Sequence, residues 1–305
     1  MIRQILSGNG GNDYTPPPIW ITLNLSTIEC FLSNKYEGRS DLFDGRLVWE
    51  DENLRKLQGT YPVISLSFAG VKSVYDESEA DGNALDNVEA MKTAVKQILS
   101  DVYAKFRDIM KSELFDENDR AYFSSVNDHM TDKTAQVAIR RLCGYLKRVY
   151  GKNVIVLLDE YDTPMQEAWV YGYWNHAVAF FRSFFVTTFK DNDSIERGLI
   201  TGITRISNDS QSETLESIFS ELNHLEVVTT LSDKYSTSFG FTEKEVFQVL
   251  DELNLSEHKA GVRKWYDGFI FGDCEDIYNP WSIIEFIIYI VFDFCPMYMY
   301  PFFDT

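Results

Sequence analysis

Positive charge is what this sequence has least of. Its 28 Lys and Arg residues face 47 Asp and Glu, a formal net charge of -19 at pH 7. A surface this acidic repels phosphate backbones, which argues against broad electrostatic binding of nucleic acid. No run of Lys and Arg marks a basic tract. Metal-ligating side chains are scarce too. The four cysteines, Cys30, Cys143, Cys274 and Cys295, are widely spaced, form no CxxC pair, and are joined by only four histidines. That pattern supports neither a zinc site nor a disulfide framework. The N-terminal residues lack the apolar core of a secretory signal, so a cytoplasmic protein is expected. Long apolar runs are also missing. The most apolar stretch, Ile283 to Phe303, is interrupted by Glu285, Asp293, Pro296 and Pro301 and does not read as a membrane span.

Apolar residues are nonetheless 45% of the 305, enough to build one large α/β domain with an appendage. The most informative stretch is NVIVLLDEYDTP, Asn153 to Pro164. Five apolar residues, Val154 to Leu158, run into Asp159 and Glu160. Such a run predicts a strand buried on both faces at the centre of a parallel sheet. Ligands of open α/β sheets sit at the carboxyl ends of the strands, so the run points two carboxylates at the place where chemistry is done. The same shape describes a Walker B element, whose Asp holds Mg²⁺ and whose Glu orients or deprotonates an attacking water. It equally describes a core strand ending in a solvated acidic pair.

Around this stretch the pattern alternates. Tyr61 to Phe68 predicts a strand, and the periodic apolar residues from Leu85 to Ile109 a long helix. Lys133 to Tyr150 predicts a second helix, with Gly151 at the place of its C-cap. An aromatic helix is expected over 165–190, burying Phe180, Phe181, Phe184, Phe185 and Phe189, and a strand over Arg197 to Thr204, ending at Arg205. This alternation indicates a parallel sheet with right-handed crossovers. After Tyr235 the character becomes helical, opening with a capping box at Thr242 and Glu245. The expected division is a disordered lead-in over 1–18, an α/β core over 19–235, a helical appendage over 236–285 and an aberrant apolar tail over 286–305.

Taken in order, NVIVLLDEYDTPMQEA, LITGITRIS, SIFSELNHL, FGFTEKEV, KWYDGF and IYNPWSI resemble the bacterial AAA-ATPase-like family. YPVISLSF and ITLNLSTIECF resemble its earlier segments. Members of that family often carry a PD-(D/E)XK nuclease-like domain after the ATPase. The resemblance implies a P-loop NTPase-like parallel sheet flanked by helices, with ATP and Mg²⁺ as cofactors. It makes Asp159 and Glu160 the Walker B pair. It puts Thr201 or Thr204 at the end of the sensor strand, Arg205 toward the phosphates, and Thr22 in the place of the Mg²⁺-binding Thr. Asp162 is close to the same site, as a turn residue or as part of it.

The resemblance fails where the phosphate-cradling loop belongs. Trp20 and Ile21 hold the Gly and Lys places before Thr22, Pro16 to Pro18 stand where backbone N–H groups should be, and no apolar strand precedes them. Proline has no N–H to give. Gly8 to Asn12 is Gly-rich but has no Lys. Beyond IYNPWSI the resemblance stops, and the chain reads as a family member clipped at both ends. Two functions follow: a P-loop ATPase fold with weak or absent hydrolysis, or a non-enzymatic acidic module that binds a protein partner. The nuclease reading is weaker, since DEYD has no Lys beside it.

Overall fold

The computed structural model of the chain describes residues 11–14, 18–72, 84–202, 218–219, 221–222, 224–229, 231–266 and 268–292. These form two compact units, the larger made of β-strand residues 11–14 and the described residues of 22–227, the smaller of residues 18–21 and the described residues from 228 on.

The larger unit is an α/β fold. Strands β1 (Gly11–Tyr14), β2 (Val63–Ser67), β3 (Val154–Asp159), β4 (Ile195–Gly202) and β5 (Glu226–Val227) form one sheet in the order β2-β3-β4-β1-β5. Every pairing is parallel. All six residues of β3 are buried, which is why its sequence is apolar without alternation. Its neighbours fix the register: Leu66 lies beside Leu158 and Ser67 beside Asp159 on one side, and Leu157 pairs with Leu199 on the other.

The helices of this unit are α1 (Pro18–Leu32) from Thr22 onward, α2 (Ala84–Ala104), α3 (Glu117–Ser125), α4 (Asp132–Tyr150), α5 (Thr163–Val170) and α6 (Trp174–Phe189), besides single turns. At the start of α4 the Thr131 hydroxyl accepts from the Thr134 N–H. At its end Gly151 turns at φ 67°, as its C-cap position predicts. One core joins Met91, Val95 and Leu99 of α2, Leu142 and Leu146 of α4, and the phenylalanines of α6. Phe68, just past β2, packs edge-on against Phe181 and Phe184, with ring centroids 5.4 and 5.8 Å away. Phe181 is fully buried, and its truncation to Ala would cost about 3–5 kcal/mol.

The smaller unit holds β6 (Phe241–Thr242), α7 (Glu243–Glu252), α8 (Lys259–Trp265), β7 (Phe269–Phe271), β8 (Cys274–Tyr278) and α9 (Pro280–Phe292). Its strands make an antiparallel sheet in the order β6-β8-β7. The predicted capping box is present, with Thr242 and Glu245 each accepting from the other's backbone N–H. Val246, Leu250, Val262, Tyr278 and Ile283 form its core.

Four expectations need correction. A strand, β1, lies inside the stretch expected as a disordered lead-in. GNDY has no apolar signature, but its main chain pairs with β4 on one side and β5 on the other, and backbone pairing needs no particular side chains. The rest of that stretch, apart from Pro18, is outside the described residues. The aromatic helix is broken in two at Gly172, whose φ of 75° a right-handed helix cannot hold. The appendage is not wholly helical, because FIF and CEDIY pair as a hairpin. Residues 286–292 continue α9, with Phe286 and Ile287 packed on the small core, so they are not a separate tail. Among the described residues no helix is long and apolar enough to cross a membrane.

Candidate functional site

The carboxyl ends of β3 and β4 carry the candidate site, and the sheet order explains how a third residue reaches it. β1 lies next to β4, with Asp13 in register with Thr201 and Tyr14 with Gly202. α1 follows β1 in sequence, and its residue Thr22 lies at the ends of β4 and β3. There Thr22 Oγ1 donates to Asp159 Oδ2 at 2.5 Å across 137 positions of sequence. On the other carboxylate oxygen, Oδ1, the Thr201 hydroxyl donates at 2.7 Å and the Glu160 N–H at 3.0 Å. Asp159 is 7% exposed and Thr201 2%, while Thr22 is exposed. A carboxylate this deep is tolerable because three donors satisfy it.

Glu160 leaves β3 in the left-handed region, at φ 50°. For a residue that is neither Gly nor Asn this costs on the order of 1 kcal/mol and recurs at functional turns. Two contacts hold it: its N–H on Asp159, and its Oε2 accepting from Thr163 Oγ1 at 3.1 Å in the first turn of α5. Asp162 is buried, with Oδ2 accepting from Gln166 Nε2 at 2.8 Å. Gly202 closes the floor. A Cβ there would fall on Asp162 Oδ1 and within 2.6–2.7 Å of the Tyr161 ring.

Of the residues singled out in sequence, Thr22, Asp159, Glu160 and Thr201 come together here. Thr204 and Arg205 lie outside the described residues. Thr163 and Gly202 were not singled out. The signal for Thr163 was its place three residues after Glu160, where a hydroxyl can cap a turn; Gly202 had no signal beyond following Thr201. Among the described residues no group of three His, Cys, Asp or Glu side chains could ligate a metal. The donor set at Asp159 is instead one carboxylate and one hydroxyl. Such hard oxygens suit Mg²⁺, which takes one or two protein ligands and completes its shell with water and phosphate.

Comparison with known proteins gives a family. A model of the family described as Predicted AAA-ATPase matches residues 21–212. An uncharacterized protein in the vnfD 5′ region of Azotobacter chroococcum mcd 1 is 27% identical over 135 residues. That match spans 44% of this chain and 24% of the relative. No solved structure matches the chain.

Proposed function

This chain belongs to the predicted AAA-ATPase family, and from that premise we propose that it carries the metal-binding half of a P-loop-type ATP site without the phosphate-binding half. The observation that carries the reading is the Thr22–Asp159 contact, a hydroxyl and a carboxylate at one point from two distant segments. Asp159 and Thr22 would hold Mg²⁺, which when bound neutralises charge on nucleotide phosphates. Thr201 fixes the Asp159 carboxylate from the protein side. Glu160, tied to Thr163, is the group to orient a water or take its proton. Thr204 and Arg205 keep their assignments, at the sensor strand's end and toward the phosphates, through the family alone.

The missing half belongs in the sequence between β1 and α1. Only Thr15, Pro16 and Pro17 separate the two elements, and α1 opens on Pro18. Proline is well placed in a first helical turn, but three in a row remove the N–H groups that a phosphate cradle uses. Trp20 and Ile21 add bulk and no cation before Thr22. In this chemistry positioning and charge neutralisation are most of catalysis. ATP turnover by the chain as written is therefore absent or very slow. Calorimetric titration with Mg²⁺ tests the retained half. Binding in the wild type that is lost in Asp159→Ala supports it; equal binding in both, or none in either, overturns it.

A further inference from the structure

At the opposite end of the sheet from Asp159, beside the start of β4, a cleft of about 670 Å³ opens between α4 and the turn leading out of α6. Its lining includes four cations, Lys133, Arg140, Arg141 and Arg148, against two carboxylates, Asp191 and Asp193. That is a local excess of positive charge in a chain of net charge -19.

The four cations do different work. Arg140 is committed to structure, donating to the carbonyls of Thr187, Lys190 and Asp191 at 2.7–3.1 Å and so closing the end of α6. Arg148 is held by Asp119 at 2.5 Å. Arg141 lies over the Tyr122 ring, 4.7 Å from its centroid. Among the described residues neither Arg141 nor Lys133 has an ion-pair partner within 4.0 Å, and both are exposed. They sit eight residues apart on α4 and, with Val137 between them, share the face that lines the cleft.

Neutral donors line the same space. The hydroxyls of Thr131 and Thr134 are 2.9 Å apart at the start of α4. Tyr122 lines the cleft beneath the Arg141 guanidinium, with its hydroxyl buried out of reach of the cleft.

We propose that this cleft binds a small phosphorylated polyhydroxy compound. A guanidinium fork, a lysine point charge and hydroxyl donors together match a phosphate dianion. Asp191 and Asp193 would repel a bare anion, but they can accept from the hydroxyls of a ligand that carries its phosphate at one end. The volume suits a molecule of that size. A long polyanion is disfavoured, because the field of the whole chain repels it.

The test is calorimetric titration with ribose 5-phosphate at low ionic strength, with chelator present so that the Asp159 site takes no part. Ribose, inorganic phosphate and a single-stranded DNA oligonucleotide are titrated alongside. The wild type should bind ribose 5-phosphate more tightly than phosphate or ribose. The double variant Lys133→Ala/Arg141→Ala should bind at least tenfold more weakly while keeping the wild-type circular dichroism, and Asp159→Ala should bind as wild type. Undetectable binding at millimolar ligand, equal affinity in wild type and double variant, or preference for inorganic phosphate or DNA would each overturn the proposal. Because Asp159→Ala is a separate arm, loss of the ATP-site reading and loss of this one are told apart.

Discussion

Asp159 receives a hydroxyl on each of its carboxylate oxygens, from Thr22 on Oδ2 and Thr201 on Oδ1, but the two donors stand in different surroundings. Thr201 is 2% exposed, whereas Thr22 is open to solvent. Water can replace the Thr22 donor and cannot easily replace the other. Thr201→Val should therefore destabilise the large unit by about 1.5–3 kcal/mol, the range for a hydrogen bond to a charged group. Thr22→Val should cost about 1 kcal/mol or less, since an exposed donor is screened. Urea unfolding of the two variants checks the order, and a larger loss for Thr22→Val would contradict it.

Gly202 is where the floor of the site has no room. An added Cβ meets the Asp162 carboxylate and the Tyr161 ring, and Tyr161 is itself fixed by its N–H on the Thr201 carbonyl. Neither neighbour is the loose end of a flexible chain. Gly202→Ala should cost about 1–3 kcal/mol through overpacking. It should also weaken the Mg²⁺ binding proposed at Asp159, since β4 must shift. A thermal midpoint and a Mg²⁺ titration equal to wild type would contradict this.

Asp132, the first residue of α4, bridges Lys92 and Lys96 of α2 at 2.9 and 2.8 Å. Burial alone would raise its carboxyl, but hydrogen bonds from Lys96 and Lys92 outweigh that and hold it below the ordinary 3.8. A depressed folded value means stability that is present above the unfolded value and is lost as pH falls through the folded one. Asp132→Asn should thus destabilise by roughly 1 kcal/mol at neutral pH, a partly exposed pair being worth little more. The difference from wild type should shrink as pH drops below about 3.8. Chemical unfolding at several pH values checks it, and a difference independent of pH would contradict it.

The central strand was legible because burial on both faces leaves a continuous apolar run, and Asp159 and Glu160 were legible as its end. Thr201 came only through the family resemblance, which put it or Thr204 at the end of the sensor strand. Thr22 came from the order of motifs, since nothing local to ITLNLST indicates a carboxylate 137 positions away. β1 was not legible, because GNDY is held by main-chain pairing and carries no side-chain pattern. The left-handed turn at Glu160 was hidden for a related reason. Its cost is offset by contacts with Asp159 and Thr163, and those contacts exist only once the fold brings β3 up to α5. The cation cluster on α4 was diluted by acidic residues elsewhere, so net charge concealed it.

Turnover of Mg-ATP by the purified chain, beside a Glu160→Gln variant, tests the central claim most directly. The proposed reading gives Asp159 and Thr22 a metal, while the sequence before Thr22 offers three prolines, Trp20 and Ile21 in place of a Gly-Lys phosphate loop. Each lost charged or oriented contact is worth a few kcal/mol in the transition state, so several together remove many decades of rate. The account predicts no turnover above the variant's background. Turnover on the order of one per second that disappears in Glu160→Gln would contradict it and would mean that another segment supplies the phosphate site.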